Sequence, residues 1–251
     1  YLEIEDVWGC VPSFANPVKE MLVASEDDVY EVVKKLKDAW NIGEDGILSV
    51  TDLLESKNIK VVEIKADLSF DGLSGYVNND ENMPFVVVNK SFDVERLRFT
   101  GLHELGHLVM NLPEEMEKKD KERLCNLFAS EMLISRDIFV DVLGERRSDI
   151  SLQELKVLQA VYGISVDALM FKAKTVGVIS ESKHTSFCIR KNKSLAFKDA
   201  VERSSYRGVE ESSRFDRLVY RALASDMISC SKAAVLLNEP MEEVKNKLEL
   251  V

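Results

Sequence analysis

The spacing of hydrophobic positions changes several times along the chain, and each change predicts an element. Residues 1–24 show no clear periodicity and contain Pro12 and Pro17, so we expect an N-terminal extension there. From Ser25 onward, apolar residues repeat at helical spacing. Ser25 and Asp28 resemble a capping box, which predicts that a helix begins at this point.

A short helix is expected at Thr51–Ser56, and the residues after it favour β-strands. The predicted strands are Ile59–Ile64, Leu73–Val77 and Phe85–Asn89. Turn-forming residues at Asn78–Pro84 predict that the last two strands form a hairpin. We expect Phe85–Asn89 to lie at a sheet edge, where an extended substrate could pair with it.

From Asp93 the pattern is helical until Pro113 interrupts it. Three further helices are predicted at Lys121–Leu133, Ser151–Tyr162 and Ser165–Thr175. Residues 181–200 are expected to contain a short β segment, followed by helices. The predicted division is an extension (1–24), a first domain (25–180) and a small mixed, mainly helical C-terminal domain (181–251).

Charge separates the two predicted domains. The chain has 33 basic and 44 acidic residues, a net charge of −11. Residues 181–251 carry 13 basic and 11 acidic residues, net +2, so residues 1–180 carry −13. This acidity argues against a protein whose whole surface binds the phosphate backbone of a nucleic acid. No apolar run reaches the roughly 18 residues of a membrane-spanning helix, and no secretory signal is visible, so no membrane association is expected.

The cysteines point to a reducing compartment. Cys10, Cys125, Cys188 and Cys230 are far apart and form no CxxC pair. This spacing argues against a disulfide framework and against a cysteine zinc site. We therefore expect a cytoplasmic protein.

The sequence His103-Glu104-Leu105-Gly106-His107 is an HExxH motif. Residues four apart lie on one helix face, so both imidazoles can reach one ion, and Glu104 can accept a proton from water there. Two histidines in so apolar a helix are costly without a partner, and Zn²⁺ supplies one. Gly106 lowers the stability of the helix by about 1 kcal/mol relative to Ala. Close packing of a neighbouring element against the glycine would offset this loss.

A catalytic zinc site usually has three protein ligands, and the third identifies the class. The HExxHxxGxxH class is excluded because the chain has Met110 and Pro113 at the required Gly and His positions. Glu122 and Glu131 of the next helix are the candidates, and they point in roughly opposite directions. Glu122 is favoured because small residues share its face and Asn126, one turn later, can orient a ligand.

Two segments, RFTGLHELGHL (98–108) and ERLCNLFASEML (122–133), resemble the ImmA/IrrE family of metallopeptidases. The resemblance extends to DGLSGY (71–76), PFVVVN (84–89) and the helical residues 150–179. It implies an α+β fold with a thermolysin-like zincin core, that is, a small sheet plus an active-site helix, followed by helical segments. It also implies Zn²⁺ with Glu122 as third ligand. Cys125 and Ser135 depart from the family pattern without removing a ligand.

Members of this family cleave or otherwise inactivate a helix-turn-helix repressor. The resemblance therefore implies a zinc-dependent endopeptidase whose protein substrate is such a repressor. Glu104 would be the catalytic base, and Tyr76 and His184 are candidates for stabilising the oxyanion. Many members carry an N-terminal helix-turn-helix domain. Because this chain begins with Tyr1 rather than Met, such a domain could have been left out.

The alternative is a non-proteolytic regulator, or an antitoxin-like binding protein, that retains a structural zincin module. The intact Glu104 favours the peptidase, because a structural site needs no base. Residues 151–175 and 228–248 each resemble a helix-turn-helix in outline, but their second helices are poor in basic residues. Docking of a partner protein or a dimer mate is therefore favoured over DNA binding, and the sequence leaves the oligomeric state open.

Overall fold

A computed structural model describes residues 1–9 and 13–248, so Cys10 and Pro12 lie outside the described residues. The fold is α+β, as predicted. Within the described residues, three strands are present: β1 (Lys60–Ile64), β2 (Gly72–Tyr76) and β3 (Pro84–Asn89). The helices are α1 (Leu2–Val7), α2 (Glu26–Trp40), α3 (Val50–Ser56), α4 (Val94–Val109), α5 (Lys118–Leu133), α6 (Arg136–Leu143), α7 (Leu152–Tyr162), α8 (Val166–Thr175), α9 (Glu181–Lys193), α10 (Leu195–Glu202), α11 (Arg214–Ala224), α12 (Cys230–Leu237) and α13 (Met241–Lys247).

The strands form one sheet in the order β1-β3-β2. β1 and β3 are parallel, with Lys60 opposite Phe85, and β2 and β3 form the predicted antiparallel hairpin, with Tyr76 opposite Pro84. The prediction that Phe85–Asn89 lies at an edge is wrong, because β3 is the central strand. Its alternating burial fits that position, since Val86 and Val88 are buried beneath the helices.

Helix α4 packs against β2 and β3, and α5 packs against α4. Asp93 caps α4 by accepting a hydrogen bond from the backbone N–H of Arg96. Helix α2 lies on α5, and the predicted capping box of Ser25 and Asp28 is present at its start. These contacts bury one face of each helix and hold α4 and α5 side by side next to β2.

Residues 181–200 are helical, so the predicted β segment is wrong. Ser180 and Ser194 cap α9 and α10 through side-chain oxygens that accept backbone N–H bonds. Polar residues occur throughout α9, and Phe187 is its only buried side chain. Such a sparse apolar pattern carries little helical periodicity, and the short apolar runs within it are as compatible with a strand as with a helix.

Buried side chains form two clusters. The larger extends from Phe14 to Val201 and includes the sheet, α4, α5 and the helices up to α10. The smaller joins α1 to α11, α12 and α13 through Ile4, Val219 and Val244. Helix α1, which the sequence analysis did not predict, thus packs against the C-terminal helices. The division at residue 180 stays a prediction. The two buried clusters divide the chain in another way, because α9 and α10 belong to the larger cluster and α1 joins the C-terminal helices.

Both predicted helical hairpins are present, as α7–α8 and α12–α13. Gly163 provides the left-handed turn (φ +59°) between the first pair, and Asn238 (φ 53°) follows α12. Their proposed roles in docking stay predictions. No helix in the described part of the chain combines the length and apolar character required to cross a bilayer.

Candidate metal centre

Helices α4 and α5 bring together the two histidines of the HExxH motif and the favoured third ligand. His103 and His107 lie one turn apart on α4, and Glu122 faces them from α5. The Nε2 atoms of the two histidines are 3.2 Å apart, and Glu122 Oε2 lies 3.1 Å from His103 Nε2 and 3.7 Å from His107 Nε2. Three potential ligand atoms thus form a small triangle.

The dimensions of this triangle fit a zinc ion. A tetrahedral ion bound at about 2.0–2.2 Å separates its ligand atoms by about 3.3–3.6 Å. Two imidazoles and one carboxylate are also the donor set of many catalytic zinc sites, in which the fourth position stays open. The side chains are partly exposed, at 15% for His103, 29% for His107 and 41% for Glu122, so a fourth group can approach.

Asn126 sets the tautomer of His103. Its amide oxygen lies 3.0 Å from His103 Nδ1 and can only accept a hydrogen bond, so Nδ1–H is the donor. In the neutral imidazole, Nε2 of His103 then presents a lone pair to Glu122 Oε2, another acceptor. Acceptors so close together repel one another unless a cation lies between them. The predicted orienting role of Asn126 is consistent with this contact.

Cys125 occupies the corresponding position next to His107. Its Sγ lies 3.4 Å from His107 Nδ1, on the side of the ring away from the ligand triangle. Burial, reinforced by the charges of Glu122 and Glu104, raises the pKa of the Cys125 thiol to about 12. The thiol is therefore neutral at physiological pH and acts as a small packing and hydrogen-bonding group.

Gly106 allows the two helices to approach. A Cβ atom there would lie 3.2 Å from Phe128 Cδ1 and 3.5 Å from Cys125 Cα on α5. The first of these distances is tighter than ordinary van der Waals contact, so a side chain would push α5 outward. The close approach expected from the sequence is therefore present, and it is what places Glu122 within reach of the histidines.

Glu104 lies beside the triangle, and β2 holds its carboxylate. The hydroxyl of Ser74 donates to Glu104 Oε2 at 2.7 Å. Gly72 brings β2 close to α4, since a Cβ there would lie 2.7 Å from both Thr100 Cγ2 and Val87 O. Sequence reasoning assigned no role to Ser74 or Gly72. The sequence signal for these residues is the DGLSGY segment (71–76), which contributes to the family resemblance.

The centre opens into a cleft of about 640 Å³. One wall is β2, from Gly72 to Ser74, and the other is formed by α4 and α5, including Phe99 and Asn126. β2 is also an edge strand, so its outer side has no strand partner within the described residues. The strand beside the site is therefore β2, and not β3 as the sequence analysis expected.

The other candidate ligand, Glu131, is committed elsewhere. It is 3% exposed, pairs with the buried ammonium of Lys172 and accepts the backbone N–H of Arg136 at 2.8 Å. Desolvation lowers the pKa of Lys172, and the charge of Glu131 opposes that shift. Glu131 thus fixes α5 to α8 and does not approach the histidines.

The two oxyanion candidates are placed differently. The Tyr76 hydroxyl donates to the backbone oxygen of Leu108 at 2.8 Å, so its proton is engaged, and burial raises its pKa. His184 lies on α9, where its ring packs edge-on against Phe171. It is not among the residues that line the cleft of the centre. The structure therefore does not bring His184 to the site, and an oxyanion role for Tyr76 stays a prediction.

An α+β core with both histidines of an HExxH helix and a carboxylate from the next helix is the arrangement typical of a zincin-type metal site. Residues 54–174 match the family described as peptidase M78, IrrE N-terminal-like domain. This match confirms the resemblance to that metallopeptidase family seen in the sequence. The match covers both helices of the centre. The comparison with curated proteins gives no match.

Proposed function

We propose that this protein is a zinc-dependent endopeptidase in which His103, His107 and Glu122 hold the metal. The observation that supports it best is the triangle of two imidazole nitrogens and one carboxylate oxygen, 3.1–3.7 Å apart, beside the carboxylate of Glu104. A zinc ion bound there supplies Lewis-acid chemistry, polarising a peptide carbonyl and making water more acidic.

The remaining steps belong to the side chains of the chain itself. Glu104 accepts a proton from the attacking water and then donates it to the nitrogen of the leaving amine. The hydrogen bond from Ser74 occupies Oε2 and leaves Oε1 of Glu104 for this transfer. One carboxylate can serve both steps because it returns to its ionised form after each turnover.

Substrate binding is assigned to the edge strand β2. Its residues 72–74 line the cleft, and an extended peptide can add to an edge strand by main-chain hydrogen bonds. These main-chain hydrogen bonds would place a peptide bond of the substrate next to Glu104. The hydrogen bonds themselves do not depend on the substrate's side chains. This pairing requires an unfolded or flexible segment in the substrate, since a folded helix or sheet cannot offer a free strand.

We further propose that the substrate is a helix-turn-helix repressor. The support for this is the family to which residues 54–174 belong and the role that the resemblance implies. The repressor encoded nearest to this protein is the first candidate to examine.

The test compares wild type with Glu104→Gln, which removes the base but leaves the three proposed ligands. Both proteins should bind one zinc per chain by elemental analysis, and only wild type should cleave the repressor. Glu115→Gln, an exposed substitution outside the site, serves as the matched control and should cleave normally. Equal zinc content with no cleavage by either wild type or variant would favour the non-proteolytic regulator.

A further inference from the structure

A second cleft, of about 540 Å³, adjoins the metal centre and shares His107 with it. Its base is the chain that follows His107 on and after α4. One wall contains Tyr76 and the loop between β2 and β3, and a second wall, which contacts the first, is the segment of residues 13–20. This segment lies outside residues 54–174, which match the family.

Hydrogen bonds fix this wall in place. The backbone N–H of Phe14 donates to Asn82 O at 2.9 Å, and the side-chain amide of Asn16 donates to Val109 O at 2.9 Å. Phe14 and Val18 are 5% and 1% exposed and anchor the segment in the main core. The segment is thus an ordered part of the fold, held directly against the end of the motif helix.

The charged groups of the cleft favour a cation. Lys19, Glu20 and Glu81 line it, which gives one net negative charge. Lys19 pairs with Glu81, and both side chains are well exposed, at 60% and 64%. Exposed pairs of this kind contribute at most about 1 kcal/mol, so a substrate cation can compete for Glu81. Glu20 makes no ion pair with any residue that the structure describes.

The amides of Asn16 and Asn82 add hydrogen-bonding groups to the same cleft. A cleft lined by carboxylates and amides suits a long side chain that ends in several N–H donors. Lys and Arg have this chemistry, and their flexible stems can reach from a backbone held along β2. Tyr76, the last residue of β2, lines the cleft, so a strand paired with β2 would pass its opening.

We propose that this cleft is a substrate side-chain pocket that selects Lys or Arg close to the scissile bond. The inference rests on the proposed peptidase function, and it names the residues that determine specificity, Glu20 and Glu81. Both are exposed, and neither is hydrogen-bonded or ion-paired to a proposed metal ligand, so their substitution should leave zinc binding unchanged.

Binding to the zinc-loaded Glu104→Gln protein provides the test without cleavage. The probes are fluorescein-labelled decapeptides of Ala and Ser that carry one Lys, moved stepwise along the peptide, and matched peptides with Gln at the same position. Fluorescence anisotropy should show about two- to fivefold tighter binding for Lys at one position, the gain expected of an exposed ion pair. Adding Glu20→Lys and Glu81→Lys should transfer this preference to peptides with Glu.

Glu114→Lys with Glu115→Lys is the control for net charge and should keep the Lys preference, since both residues are exposed outside this cleft. The inference is overturned if Lys and Gln peptides bind equally, or if both double variants reduce the preference alike. Cleavage by the wild type is assayed separately with the same peptides. Lys-selective binding without any cleavage would overturn the peptidase proposal while leaving the pocket in place.

Discussion

The hydroxyl of Ser74 on the edge strand donates a 2.7 Å hydrogen bond to the carboxylate of Glu104 on the motif helix. This contact links the strand proposed to bind substrate with the proposed base. A hydrogen bond to a charged group contributes about 1.5–3 kcal/mol, enough to select one orientation of a carboxylate.

We expect Ser74→Ala to lower kcat about tenfold with little change in KM, because the carboxylate loses its orientation while β2 keeps its backbone. Zinc content should be unchanged. Ser74→Thr retains the hydroxyl and should recover most of the activity. The measurement is steady-state cleavage of a peptide substrate. A loss in Ser74→Thr equal to that in Ser74→Ala would show that packing, and not the hydrogen bond, is responsible.

Two glutamates on α5 should respond in opposite ways. Glu122→Ala should abolish zinc binding while leaving the stability of the metal-free protein nearly unchanged, because Glu122 is partly exposed. Glu131→Ala should keep zinc binding but destabilise the fold by about 3–5 kcal/mol, because Lys172 would be left buried and unpaired. Elemental analysis and urea unfolding with chelator test both statements. Zinc loss in Glu131→Ala at a temperature where it remains folded would contradict the assignment.

Asn126→Ala should weaken zinc binding about 10- to 100-fold without removing it, because His103 loses the acceptor that holds its ring and tautomer. Competition with a chromophoric chelator gives the affinity. Asn126→Asp offers a stronger acceptor in the same place and should bind zinc at least as tightly as wild type. Equal zinc affinity in wild type and both variants would show that Asn126 has no role in zinc binding.

Gly72→Ala should destabilise the protein by about 1–3 kcal/mol, since its methyl group would overlap Val87 O and Thr100 Cγ2. Displacement of β2 should also reduce activity. Gly43→Ala is a suitable control because nothing lies within 4 Å of a Cβ there, and its unfolding midpoint in urea should be close to that of wild type. Similar midpoints for both variants would mean that β2 can shift without cost.

Glu210→Gln should destabilise the fold by about 3 kcal/mol. Arg98 of the motif helix is fully buried and pairs with Glu210, which also accepts the backbone N–H groups of Val50 and Thr51 at the start of α3. The neutral side chain would leave the guanidinium without its counter-charge. Glu211→Gln, at an exposed position, is the control in urea unfolding and should change stability by less than about 0.5 kcal/mol.

Much of the centre could be predicted from local spacing. The i, i+4 rule placed His103 and His107 on one face, and helical periodicity separated Glu122 from Glu131. Both arguments depend only on the geometry of a single helix, which the chain carries in its own residue order. The capping of α2 and the β2–β3 hairpin are local features of the same kind.

Tertiary structure decided what lies next to those helices. The strand order places β3 in the middle of the sheet and β2 at its edge. Side chains alternate between the two faces of a strand whichever strands lie beside it. The hydrophobic pattern therefore could not show which strand is at the edge. Ser74 reaches Glu104 across 30 positions of sequence, and the wall at residues 13–20 reaches the end of α4 across about 90. Such contacts depend on how whole elements pack, which is why the sequence indicated the candidate ligands and only the fold placed the surfaces around them.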